Sequence, residues 1–254
     1  MAKIEWDNIT KRPFKYGISN GVLYKFNNEY FTNGVAWNGL ISVTDKPSGK
    51  EKTPLYSGNV LKGYELSLEE YGGEIKALMY PDEFMPCFGH KELIQGIYYT
   101  QQEPELFGLS YQVTMDDAMH QFHRPEIHLI YNCMIVDNVS FTHETYGSKQ
   151  YEEMVFPFVS FPIETFRFRK PLSHIVIRAG RLSSDYDDKY RELLDMLYGT
   201  GTNKKTGIPR MPKPSELITM FTEEMPSVST QVSSRLMPTR KDNLMIPDLP
   251  EIIT

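Results

Sequence analysis

Residues Gly34–Phe84 read GVAWNGLISVTDKPSGKEKTPLYSGNVLKGYELSLEEYGGEIKALMYPDEF, and this stretch decides the fold class. Trp37, Gly39, Ile41 and Val43 alternate with Asn38, Leu40, Ser42 and Thr44. A period of two predicts a strand over Val35–Thr44. Lys46, Pro47, Ser48 and Gly49 then supply turn chemistry, with Gly49 able to take a positive φ. A returning arm over Glu51–Tyr56 carries Leu55 and Tyr56. A short acidic segment with Glu65, Glu69 and Glu70 leads to Glu74 and a further strand over Gly73–Tyr80.

Outward from this stretch, strands are predicted at Val22–Phe26, Glu105–Thr114, Glu126–Val136, Tyr151–Phe161 and His174–Ala179. In the third of these, Ile127, Leu129, Tyr131, Cys133 and Ile135 should face one core. Glu126, His128, Ile130, Asn132 and Met134 form a mixed, partly covered face. Residues 1–20 read as a polar arm leading into the fold. One helix is marked near 184–198. Ser184 is its N-cap, Asp185, Asp187 and Asp188 load its first turn, and Gly199 stops it. Its apolar stripe is Tyr186, Tyr190, Leu193, Leu194, Leu197 and Tyr198. Residues 199–214 are a linker by composition, and a helical turn is expected over Ser215–Phe221. The chain divides into a β domain at 1–221 and a Pro-punctuated segment at 222–254. That segment is either disordered or an extended arm laid on a neighbouring subunit through Leu236, Leu244, Ile246 and Leu249.

The composition fits a β protein. Hydrophobic residues at 40% of 254 permit a large core without metals or disulfides. Sixteen tyrosines and fourteen phenylalanines suit strands. The net charge of −6 argues against a protein that grips DNA, because phosphate neutralisation needs cations. A surface that DNA slides past is compatible with it. Cys87 and Cys133 read as free thilos of a reducing compartment rather than a disulfide framework. The opening MAKIEWDNITKR lacks an apolar signal-peptide core, and no run approaches the roughly 18 apolar residues of a membrane-spanning helix.

The candidates for chemistry are weak. His120 and His123, with Asp116, Asp117 and His128, are suitable metal-ligand types. Pro125 makes that region a loop, and a solvated connection explains it better than a metal site. Glu69–Glu70, Asp82–Glu83 and Glu152–Glu153 are adjacent carboxylates, but strand neighbours point to opposite faces. No nucleophile elbow, phosphate loop or dinucleotide fingerprint occurs. Phe166 to Lys170 (FRFRK) reads as a strand with outward cations rather than a nucleic-acid surface.

Several segments, in order, resemble the major tail tube protein family of long-tailed, non-contractile bacteriophages. They are Gly21–Tyr24 (GVLY), Gly34–Leu40 (GVAWNGL), Ser42–Gly49 (SVTDKPSG), Thr53–Tyr56 (TPLY) and Tyr80–Phe84 (YPDEF). Phe107–Tyr111 (FGLSY), His128–Tyr131 (HLIY) and Leu197–Thr200 (LYGT) follow. The resemblance covers residues 3–221 and lapses over 114–125. It implies a mainly β fold of two packed antiparallel sheets, a β-sandwich or barrel, with one flanking α-helix. It implies homohexameric rings whose strands form a continuous inner barrel. The rings stack around a tape measure protein, between tail terminator and distal tail proteins, and viral DNA later passes through without specific binding. The resemblance implies neither enzyme activity, cofactor, metal nor membrane. It places the protein in the virion tail, assembled in the host bacterial cytoplasm. Under it, Lys46, Pro47, Ser48, Gly49, Leu55 and Tyr56 are expected at ring or stacking contacts, with Leu236, Leu244, Ile246 and Leu249. Glu65, Glu69, Glu70 and Glu74 are expected to face the lumen. The alternative is a carbohydrate- or receptor-binding β-sandwich module of a phage particle, which needs an exposed aromatic platform and forms no tubes.

Overall fold

The computed structural model describes residues 13–27, 30–49, 52–66, 70–116, 123–136, 139, 141, 153–165, 171–200 and 207–222. The chain divides into two units at Glu223/Glu224, and the second lies outside the described residues. The strands are β1 (Phe14–Asn27), β2 (Tyr30–Ala36), β3 (Leu40–Asp45), β4 (Lys52–Ser57), β5 (Val60–Leu66) and β6 (Tyr71–Ala77). After a 3-10 segment at Asp82–Phe88 come β7 (Lys91–Ile94), β8 (Ile97–Tyr99), β9 (Phe107–Asp116), β10 (His123–Ile135), β11 (Met154–Ser160) and β12 (His174–Arg178). Two helices close the described chain, α1 (Asp187–Tyr198) and α2 (Pro214–Thr222).

One eight-stranded antiparallel sheet runs β2-β1-β9-β10-β11-β6-β3, with β12 also paired to β10. β10 divides its second edge between two partners. Glu126–Ile130 pairs with β12, and Cys133–Ile135 pairs with β11. The changeover is at Asn132, in the left-handed region (φ 46), where the register against β9 shifts. This bulge overturns the expectation of one core face. Ile127, Leu129 and Tyr131 point to the helices, whereas Cys133 and Ile135 join Ile130 in the opposite core. An extra residue in a strand reverses the parity of every side chain beyond it.

The first core lies between the sheet and the helices. Tyr190, Leu193 and Leu197 of α1 bury against Val22, Tyr24, Ile127, Leu129 and Tyr131. Each fully buried leucine contributes about 1.5–3 kcal/mol. The Tyr24 hydroxyl lies 3.1 Å from Ser110 Oγ and donates to Leu197 O at 2.8 Å, satisfying a carbonyl in the helix's last turn. The second core gathers Leu23, Ile75, Phe107, Leu109, Phe156 and Phe158, drawn from both halves of the sheet. The sheet therefore curls, and its halves face each other as the two layers of a sandwich. Phe84, in the 3-10 segment, plugs this core, with ring centroids 4.5 Å from Trp37, 5.0 Å from Phe156 and 5.3 Å from Phe107. A mainly β, antiparallel fold with a flanking helix is what the structure shows.

Several local expectations change. Val35–Thr44 is two strands rather than one, because Trp37 turns into the core and its indole N–H donates to Met79 O (2.8 Å). Lys46–Gly49 is not the tip of a hairpin. β3 pairs with β6, and Ser48 continues that ladder opposite Glu70. The hairpin turn falls at Gly58 and Asn59, both left-handed (φ 58 and 59), and joins β4 to β5. Such a pair of positive φ values matches the twist of the strands it connects. Phe14–Asn20 is part of β1, not an arm, since it pairs with β9 from Phe14↔Asp116 onward. Ser184 lies inside a 3-10 turn ahead of α1, whose N-cap is Tyr186, with no side-chain capping hydrogen bond. Part of the expected linker is structural: Pro209 O accepts from Gly34 N–H (2.9 Å), and Met211 N–H donates to Phe31 O (3.0 Å), covering the outer edge of β2.

Candidate assembly surfaces

Two hairpins stand apart from the main sheet, and each is a separate two-stranded ladder. In β4 every side chain is exposed. Leu55, Tyr56, Val60, Leu61 and Tyr64 present 48%, 66%, 56%, 43% and 57% of their surface to solvent. Consecutive strand residues point to opposite faces, so Leu55 with Tyr56, and Val60 with Leu61, make both faces apolar. An isolated two-stranded hairpin is marginal in water without a surface to pack on. Within the described chain the main sheet lends this hairpin no strand.

The β7–β8 hairpin repeats the design on a firmer stem. Gln102 N–H donates to Gly89 O (3.0 Å) and Glu105 N–H to Pro86 O (3.1 Å), tying both arms to the segment that carries Phe84. Leu93, Ile94, Ile97, Tyr98 and Tyr99 are all exposed. The signals for both hairpins were legible. Gly58-Asn59 and Gln95-Gly96 each separate two short strand-like runs.

A buried polar cluster lies inside the sheet. The Glu126 side chain is 3% exposed and accepts from Lys15 Nζ (2.5 Å) and Arg178 Nε (3.1 Å), with His128 Nε2 at 3.1 Å. Burial pushes its carboxyl up, but Lys15 and His128 outweigh that and hold it below the usual range. Burial lowers His128, and it lowers His174 further, to about 4, with the neighbouring imidazole adding to the effect. Among the described residues no group of three or more His, Cys, Asp or Glu is arranged to hold a metal ion. His123 heads β10, while Asp117 and His120 lie outside the described residues. Cys87 and Cys133 are both free and buried.

The other expected site residues scatter. Leu55 and Tyr56 sit on the exposed hairpin, whereas Lys46 is held in an ion pair with Glu74 on the main sheet. Ser48 is bridged to Glu70. Glu65 belongs to β5, Glu70 and Glu74 to the β6 region, so the acidic residues are divided between the hairpin and the body. Glu69, Phe166 to Lys170, Leu236, Leu244, Ile246 and Leu249 lie outside the described residues. No family model matches the chain, and no curated protein matches it.

Proposed function

We propose that this chain is a self-assembling structural subunit, whose copies form rings that stack into a phage tail tube. The observation that carries the reading is the β4–β5 hairpin. It is apolar on both faces, unpaired with the main sheet, and too small to be stable alone. A surface of this kind calls for a protein partner. Among the described residues no further strand pairs with the outer edges of β3 and β12, which adds to the case, since identical subunits that close a ring remove such edges. In this reading the hairpin packs on a neighbouring copy, the lumen holds a tape measure protein and later passes DNA, and terminator and distal tail proteins end the tube. The acidic balance of the chain suits a wall along which DNA slides without sticking.

Electron microscopy of the purified, concentrated protein tests the reading. Hollow tubes or rings support it. A protein that stays monomeric at every concentration and salt condition, and is absent from the tail shafts of virions, refutes it.

A further inference from the structure

The β7–β8 hairpin and a cationic cavity stand at opposite ends of one strand. The hairpin stem returns through Glu105, two residues before β9 begins at Phe107. The cavity, about 660 Å³, is lined at Met115, the next-to-last residue of β9. At about 3.3 Å per residue, the ten residues of β9 set the two features roughly 30 Å apart along the strand.

Their chemistry is complementary. Lys15, Arg124, Arg178 and Arg181 line the cavity, with Phe14 and Met115 as apolar wall. Two carboxylates offset these cations: Glu126 takes Lys15 and Arg178, and Asp187 takes Arg124 at 2.6 Å. Asp116, paired with Phe14, adds a third carboxylate at this end of β9, so among these described residues one positive charge remains in excess, against the sign of a chain whose net charge is −6. The hairpin and its stem, residues 91–105, carry Lys91 against Glu92, Glu103 and Glu105. The hairpin also has Tyr98 and Tyr99, consecutive in β8 and regularly paired, on opposite faces, both exposed. A second identical hairpin laid against it covers only one face, whereas a cavity walls both.

We infer that the β7–β8 hairpin of one copy enters the cationic cavity of the next copy. The inference rests on the self-assembly reading and gives it a direction. Tongue and socket lie at opposite ends of β9, so the contact is heterologous and carries assembly from one copy to the next along the strand.

Arg181→Glu and Glu103→Lys, made singly and together, test this. Both side chains are exposed, and neither forms an ion pair that holds its own subunit together among the described contacts. Assembly is followed by sedimentation, and folding by thermal melts. Each single variant should raise the concentration needed for assembly about tenfold, through like-charge contact. The double variant should return to within about threefold of wild type. Unchanged assembly in the single variants, or no recovery in the double variant, overturns the inference and leaves self-assembly standing. A wild-type chain that never assembles overturns both. If a single variant melts below wild type, an Ile94→Cys chain mixed with a Phe14→Cys chain decides under mild oxidation. Cross-linked dimers that need both partners support the inference, and their absence while assembly persists overturns it.

Discussion

His128 Nδ1 lies 2.9 Å from His174 Nε2, across the diagonal between β10 and β12. His128 Nε2 faces the Glu126 carboxylate, so it carries the proton of the neutral ring. His128 Nδ1, with its single lone pair, is then the acceptor for His174 Nε2–H, while the Tyr111 hydroxyl, on a ring stacked against His128, lies 3.2 Å from it. Charging both rings places two N–H groups against each other, so the pair resists full protonation. Asp45, Lys15, Glu126 and Tyr71 surround it, with the Tyr71 ring 5.0 Å from His174.

Acid should therefore loosen the sheet. Both imidazoles sit below the ordinary value of about 6.5, so their contribution is complete above that value. It is lost as pH falls from about 6.5 toward the value of about 4 at which His174 charges. Glu126, held low, contributes above its ordinary range and loses that contribution at still lower pH, in the same direction. Melting temperature should fall across this interval, and His174→Gln should flatten the fall. A melting temperature that is constant from pH 7 to pH 4 contradicts the assignment.

Tyr24→Phe should destabilise the subunit by about 1–3 kcal/mol, because the buried Leu197 carbonyl and Ser110 hydroxyl lose a partner. Denaturant midpoints measure this. An effect under about 0.5 kcal/mol, a change typical of surface substitutions, shows that the tie between β1 and α1 is unimportant.

Gly73→Ala should be more damaging than its single methyl group implies. A Cβ at Gly73 falls 2.1 Å from Thr44 O, a backbone atom of the paired strand β3. The strands must separate there, and soluble yield and melting temperature should both fall. A variant that melts like wild type shows that β3 yields freely.

Replacing Leu55, Tyr56 and Leu61 together by serine should abolish assembly and leave the body folded, since these residues contribute to neither core. Sedimentation and circular dichroism separate the two effects. Wild-type tubes from this variant exclude the hairpin from the interface.

Much of this architecture was legible because strand periodicity is local. The alternations at Ile127–Tyr131 and Val22–Phe26, and the stripe of α1, depend only on which neighbours are apolar. Leu55 and Tyr56 could be singled out from the chain, but their exposure could not. An apolar pair in a strand reads the same whether a sheet covers it or solvent does.

The sequence by itself determined the β character, the helix ending at Gly199 and the placement of most strands, because hydrophobic spacing and turn residues act over a few positions. Only the tertiary structure decided which strands pair, since β3 meets β6 across an intervening hairpin and sequence distance carries no record of such a partner. It also decided that one bulge at Asn132 sends Tyr131 and Cys133 to different cores, because a single left-handed residue inverts the faces of all that follow. Glu126, His128 and His174 likewise became one cluster only when β12 returned to β10, through cross-strand neighbours nearly fifty residues apart in the chain.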